Sequence, residues 1–236
     1  MSLRAPDGRI LDAVLFDLDG TLLDTAPDLV GALNFLRVRE GLSPAPIDDF
    51  RQFVSRGALG LIRAGLPDRG EEQEAEWRVD FLAWYQAHSL DSTSPFDGVE
   101  RLLGGLEAAA VPWGIVTNKP TFLTLPILDA LGWSDRASAV VCGDTLPVAK
   151  PDPAPVHHAC SALGVEADRN CLVGDDPRDL EAAEAAGALA VLAAYGYGAA
   201  EVLAARGARP VLIETPDDML AWCIEQSAKE SGIDNA

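Results

Sequence analysis

Five short apolar runs, each almost uninterrupted, constrain this chain more than any other feature. They are Ala13–Asp17 (AVLFD), Trp113–Thr117 (WGIVT), Ala139–Cys142 (AVVC), Cys171–Gly174 (CLVG) and Leu189–Ala193 (LAVLA). A strand with one wet face alternates apolar and polar residues. A strand without that alternation is buried on both faces, as in a parallel sheet covered by helices. Helical spacing over Val99–Ala110, Thr121–Leu131, Pro153–Leu163 and Leu180–Ala186 separates the runs, and Pro210–Ile213 with Pro216–Gln226 adds one more strand and helix. Strands alternating with helices imply right-handed crossovers and a mostly parallel sheet.

The rhythm breaks once. After Asp17 and the turn that Gly20 permits, residues 26–93 read as helices only: Ala26–Glu40 with Pro27 in its first turn, Ile47–Val54, Gly57–Ala64 and Glu71–Ser89. In the last of these, Trp77, Phe81, Trp84, Tyr85 and His88 fall on one face, and core packing explains such a stripe. The expected architecture is α/β: a Rossmann-like parallel-sheet core over residues 1–25 and 94–236, with an inserted helical cap over residues 26–93.

Composition closes off several functions. The 236 residues carry 18 basic and 37 acidic side chains, a net charge of −19. Such a surface repels a phosphate backbone, and with no basic cluster in the chain a nucleic-acid partner is not expected. No run approaches about 18 apolar residues, so no membrane partner is expected either. The acidic opening of the chain does not resemble a secretory signal, which makes the expected location cytoplasmic. Cys142, Cys160, Cys171 and Cys223 are scattered and read as reduced, largely buried thiols. His157, His158 and Cys160 lack the spacing of a zinc site. The expected assembly is a monomer or homodimer.

In open parallel sheets, ligands bind beyond the carboxyl ends of the strands. Those ends read Asp17-Leu18-Asp19-Gly20-Thr21, Thr117-Asn118-Lys119, Ala149-Lys150-Pro151 and Gly174-Asp175-Asp176-Pro177-Arg178-Asp179. Asp17 and Asp19 are two residues apart and lean to one side. Neighbouring carboxylates repel and need a cation. Asp17, Asp19 and Asp175 offer hard oxygen ligands with no His or Cys, which favours Mg²⁺ over zinc. Lys150 adds a fixed charge and Thr117 a hydroxyl. Together they suit a phosphoryl group.

The same four segments carry a resemblance. FDLDGTLLDT (Phe16–Thr25), VTNKP (Val116–Pro120), AKPDP (Ala149–Pro153) and VGDDPRD (Val173–Asp179) resemble the four motifs of the haloacid dehalogenase-like phosphatases, and the insertion after Asp24 is similar to the helical cap of their phosphoglycolate phosphatase-like branch. The resemblance implies Asp17 as nucleophile, Asp19 as general acid and then base, and Thr117, Asn118 and Lys150 on the phosphoryl side. It implies Mg²⁺ held by Asp17, the Asp19 carbonyl and Asp175, supported by Asp176 or Asp179. A dehalogenase does not need Asp19. A phosphonatase needs a cap lysine, and residues 24–95 contain none. Gly143 to Lys150 does not form a Walker A loop. A non-catalytic binding protein would have no use for Asp19 with Lys150.

In the cap, Val54-Ser55-Arg56-Gly57-Ala58 is the stretch suited to substrate. Gly57 allows close backbone approach, and Arg56 can grip a carboxylate with two prongs. A carboxylate beside a phosphate belongs to 2-phosphoglycolate and to N-acetylmuramic acid 6-phosphate. VSRGA and Tyr195-Gly196-Tyr197-Gly198 resemble phosphatases of cell-wall sugar recycling. The expected partner is therefore a small phosphorylated, carboxylated metabolite. A hexose phosphate mutase shares the nucleophile and acid and stays open.

Overall fold

Polar and charged side chains meet at one edge of this protein because its first long strand is central in the sheet. The structure is a computed structural model describing residues 3–205 and 210–222. In chain order the elements are β1 (Leu3–Arg4), β2 (Ile10–Leu11), β3 (Ala13–Phe16), β4 (Leu23–Asp24), α1 (Ala26–Arg39), α2 (Ile47–Phe50), a 3₁₀ turn over Arg51–Arg56, α3 (Gly57–Gly65), α4 (Glu71–His88) and β5 (Ser94–Pro95). There follow α5 (Val99–Ala108), β6 (Trp113–Val116), α6 (Thr121–Ala130), β7 (Ala139–Val141), α7 (Ala154–Leu163), β8 (Asn170–Gly174), α8 (Pro177–Ala186), β9 (Leu189–Ala193), α9 (Ala199–Ala205) and β10 (Val211–Ile213). Residues 216–222 are helical, and the rest of the expected C-terminal helix, with Cys223, lies outside the described residues.

Six strands form one parallel sheet in the order β10-β9-β8-β3-β6-β7. The chain passes from β3 to β6 and β7 on one side and then crosses to β8 on the other. That reversal puts the switch point, where an open sheet leaves a crevice, at the carboxyl end of β3. Every residue of β3, β6, β8 and β9 is buried. Their side chains alternate between two cores: Val14, Phe16, Cys171 and Val173 face one, Leu15 and Leu172 the other. This explains the uninterrupted apolar runs, since neither face meets water.

The segment between β4 and β5 is all-helical and has its own core of Leu33, Leu36, Leu61, Ile62, Trp77, Phe81 and Tyr85, into which Leu123 of α6 also packs. β4 and β5 pair antiparallel, Leu23 with Pro95 and Asp24 with Ser94, so the chain leaves and re-enters the core side by side. Asp28 Oδ2 accepts from Ser92 N (3.1 Å) and Thr93 N (2.8 Å) and ties the start of α1 to this return strand.

Local differences from the sequence reading have identifiable causes. The β1–β2 hairpin and the β4–β5 pair have two-residue strands, too short for any periodicity. The helix expected over Ile47–Val54 tightens into a 3₁₀ turn, where Arg51 reaches out to Asp24 (2.8 Å). α8 starts at Pro177 because Asp176 caps it and proline is favoured at a first helical position. Cys142, Cys160 and Cys171 are buried and form no disulfide.

Phe81 is fully buried where α4 closes the helical unit's core. Phe81→Ala is expected to destabilise the protein by about 3–5 kcal/mol, read by urea denaturation, with a broader or biphasic transition if the helical unit loosens first.

Candidate active site

Asp17 follows β3 directly, and its N–H still donates to Val173 O (2.8 Å), so its backbone is fixed by the ladder. Leu18 turns into the core, and Gly20, at φ 90°, bends the chain back across the sheet edge. Thr117 leaves β6 the same way, its N–H donating to Val141 O (2.9 Å). Asp175 follows β8, and Asp179 sits in the first turn of α8.

These segments meet around one ammonium group. Lys150 Nζ donates to Asp17 Oδ1 (2.7 Å), to the Val116 carbonyl and to Asp179 Oδ1 (2.7 Å), which uses all three of its protons. Asp179 Oδ2 accepts from the Asp176 N–H (3.0 Å), while Asp176 caps the helix through Arg178 N (3.0 Å). The capping box of α8 thus also aims a counter-ion at Lys150. Asp175 is enclosed: Thr21 Oγ1 donates to its Oδ1 (3.0 Å), Gly198 N (3.0 Å) and Ser55 Oγ (3.3 Å) to its Oδ2. A Cβ on Gly20 or Gly196 would collide with this side chain, at 2.6 and 2.1 Å.

Carboxylate oxygens of Asp17, Asp175 and Asp179 lie within 4.8 Å of one another, all three residues buried. Burial pushes the Asp17 carboxyl up to about 7, against the pull of Lys150. Burial, helped by Asp17 and Asp179, pushes Asp175 up to about 8. Three carboxylates facing one ammonium are short of positive charge, and a hard divalent cation fits this all-oxygen set.

The other expected residues divide. Asp19 is half-buried beside this cluster, its carboxylate outside the trio and paired instead with Lys119 Nζ (2.9 Å). Asn118, expected on the substrate, lines the cavity with its side-chain amide engaged elsewhere: its Nδ2 donates to Lys150 O (2.8 Å) and its Oδ1 accepts from Lys150 N (3.0 Å). Both ends of its amide are spent on the Lys150 main chain, so it positions that lysine. Thr117 Oγ1 accepts from Lys119 N (3.2 Å). Arg56 is half-exposed at the rim and pairs with Glu201 (3.1 Å), while Gly57, at φ 69°, faces open space.

A cavity of about 210 Å³ joins these groups and is lined from both units: Asp17, Asp19, Thr117 and Lys150 below, Val54, Arg56, Phe81 and Tyr85 above. Two lining residues escaped the sequence reading. Lys119 was visible as one of only three lysines, yet nothing in the spacing assigned it a role. Tyr85 was read as core; it is buried, but its hydroxyl accepts from Lys119 Nζ (2.8 Å). Arg178 joins the units directly, donating to the Ser55 carbonyl.

A parallel-sheet core with acidic residues and a lysine at its switch point, roofed by a helical insertion, defines a class of phosphoryl-transfer hydrolases. The sequence profile of the haloacid dehalogenase-like hydrolases matches residues 11–187. The chain is 39% identical over 211 residues to N-acetylmuramic acid 6-phosphate phosphatase of Pseudomonas aeruginosa, covering 89% of this chain and 93% of that one. It is 40% identical over 203 residues to phosphoglycolate phosphatase of Xylella fastidiosa, covering 86% and 89%. The crystal structure of a predicted phosphoglycolate phosphatase from Haemophilus somnus superposes with a TM-score of 0.78 at 27% identity, covering 89% and 97%. The chain belongs to the haloacid dehalogenase-like hydrolases, and its activity is that of a phosphatase, a phosphoric monoester hydrolase. Among the described residues no helix is long and apolar enough to cross a membrane.

Asn118→Ala removes both bonds that hold the Lys150 backbone. It is expected to cost about 1–3 kcal/mol in stability, seen in urea denaturation. Phosphatase kcat is expected to fall more than KM rises.

Proposed function

We propose that this phosphatase is Mg²⁺-dependent, works through an aspartyl phosphate on Asp17, and acts on a small phosphate ester that also bears a carboxylate. The observation that carries this reading is the Asp17 carboxylate held 2.7 Å from Lys150 Nζ, among Asp175 and Asp179, in a cavity that also contains Asp19.

In the first step an Asp17 oxygen bonds to phosphorus as the ester P–O bond breaks. The departing alkoxide takes a proton from Asp19. In the second step water attacks phosphorus, the P–O bond to Asp17 breaks, and Asp19 recovers the proton from that water. The Lys150 ammonium and the Thr117 hydroxyl orient the phosphoryl oxygens. Mg²⁺, held by Asp17, the Asp19 carbonyl and Asp175 with Asp179 and Asp176 in support, supplies charge neutralisation when bound. The helical cap keeps bulk water out. Asp17→Asn is expected to abolish turnover, and a hydroxylamine-sensitive phosphorus label on the N-terminal peptide is the direct check.

Arg56 supports a carboxylate at the cavity mouth. Its pair with Glu201 joins two half-exposed side chains, so giving it up costs little. Arg56→Ala is expected to raise KM for 2-phosphoglycolate and to leave KM for phenyl phosphate unchanged; an equal rise for both removes the role. A second reading, N-acetylmuramic acid 6-phosphate, is favoured by the apolar side of the cavity, where Leu29, Val54, Phe81, Leu82 and Leu123 extend beyond the needs of a two-carbon acid. The ratio of kcat/KM for the two esters decides between them. Isomerisation dependent on a bisphosphate primer would instead mark a hexose phosphate mutase.

Mg²⁺ at about 100 times its Kd is expected to stabilise the fold by about 2.7 kcal/mol. For a chain of this size that raises Tm by roughly 5–10 °C. Asp175→Asn should remove the shift, and calorimetry with and without the ion reads it.

A further inference from the structure

Two of the chain's three lysines enter the cavity, and the reaction proposed above uses only Lys150. Lys119 has no part in it, yet its ammonium is buried and bonded to Asp19 Oδ1 (2.9 Å) and Tyr85 Oη (2.8 Å), lying 4.5 Å from the centre of the tyrosine ring. Its main chain is fixed as firmly: the N–H donates to Thr117 Oγ1 (3.2 Å), and the carbonyl accepts from Gly143 N (3.0 Å) and Thr124 Oγ1 (3.3 Å). Burying an ammonium is costly, and an ion pair in such a place is weak evidence for stability.

We propose that Lys119 is a positioning residue that orients the Asp19 carboxyl for proton transfer, and that Tyr85 makes this orientation depend on the cap being seated. The inference rests on Asp19 acting as acid and base. A carboxyl serves a leaving oxygen only if one oxygen is anchored and the other points at the reacting group. Lys119 anchors Oδ1, and Oδ2 has no protein donor among the described residues, while Asp19 lines the cavity. The anchor suits both half-reactions. With the carboxyl protonated at Oδ2, Oδ1 still accepts from the ammonium. With the proton gone, the ammonium balances the carboxylate. Tyr85 belongs to α4 and Lys119 to the loop after β6, so the Lys119–Tyr85 bond spans cap and core. Without the cap, Lys119 loses one of its two side-chain partners, and Asp19 loses a fixed anchor.

The test varies the leaving group. With wild type, Lys119→Met, Tyr85→Phe and Asp19→Asn, kcat/KM is measured for p-nitrophenyl phosphate, phenyl phosphate and glycerol 2-phosphate, whose leaving oxygens are increasingly basic. kcat/KM reports phosphoenzyme formation, in which p-nitrophenolate needs no proton. Lys119→Met is expected to lose on the order of 10²-fold on glycerol 2-phosphate and only a few-fold on p-nitrophenyl phosphate, following the trend of Asp19→Asn. Tyr85→Phe is expected to give the same trend more weakly, and Lys119→Arg to recover part of the loss. Equal losses on all three esters, or none, would overturn the role of Lys119, and wild-type behaviour of Tyr85→Phe would overturn the role of the cap. Asp19→Asn without a leaving-group trend would instead remove the acid–base reading beneath the inference, and wild type inert to all three esters would remove the proposed reaction itself.

Discussion

The buried ammonium of Lys150, shared between Asp17 and Asp179, is the contact on which the rest of this structure depends. It joins the end of β3, the loop before α7 and the first turn of α8, which are more than a hundred residues apart in sequence at their widest. Removing one partner of such a pair leaves an uncompensated buried charge, typically at a cost of about 3–5 kcal/mol. The surroundings make that arrangement rigid. Asn118 holds the lysine backbone, the capping box of α8 aims Asp179, and the absence of side chains at Gly20, Gly174 and Gly196 gives Asp175 and Asp179 the room they occupy. For the nucleophile role proposed for Asp17, the contacts that stabilise the fold are the same ones that would hold its carboxylate in place.

The cap is tied to this centre by polar contacts of unequal kind. At the hinge, Asp24 accepts from Tyr197 Oη (2.5 Å) and Arg51 (2.8 Å), and the Arg51 guanidinium lies over the Tyr197 ring. Across the cavity, Ser55 meets both Asp175 and Arg178, and Tyr85 meets Lys119. Among the described residues, the core adds just Leu123 and, at the edge, Tyr197 to the cap's own apolar cluster. An interface made mostly of directional bonds and little shared apolar surface separates and re-forms more readily than a continuous core. Such an interface suits the role proposed for the helical unit as a cover over the phosphate site.

Much of this was legible in the sequence because two strong periodicities met at fixed points. Strands buried on both faces leave unbroken apolar runs, and a parallel sheet orders their carboxyl ends, so Asp17, Thr117 and Asp175 were assigned to one edge without coordinates. The same logic failed where function and packing use the same residue type. Tyr85 lies in a helical stripe with Trp77 and Phe81, and its ring obeys the pattern; only its hydroxyl departs from it. Asn118 follows Thr117 and lines the cavity, but its side-chain amide satisfies the Lys150 backbone, a partner that sequence does not reveal. The pairing of Lys119 with Asp19 spans 100 residues and two loops, a contact that no local spacing encodes.

Charge distribution connects these observations. The chain carries about twice as many acidic as basic side chains, yet the cavity wall holds Asp17, Asp19, Asp176 and Asp179 against Arg56, Lys119, Lys150 and Arg178. An anionic ester approaching the protein meets a repulsive field until it comes within about one Debye length, roughly 8 Å at physiological salt, of the cavity. Inside, the wall is balanced, and each basic group already has an acidic partner: Lys150 with Asp17, Lys119 with Asp19, Arg178 with Asp176, Arg56 with Glu201. A dianionic phosphate entering such a wall gains little unless a further positive charge comes with it, because every cation it meets must be shared. Burial raises the Asp17 and Asp175 carboxyls above their usual range, and the neighbouring carboxylates add to it. A hard divalent cation bound by the acidic trio of Asp17, Asp175 and Asp179 would offset both the balanced wall and the repulsion among its carboxylates.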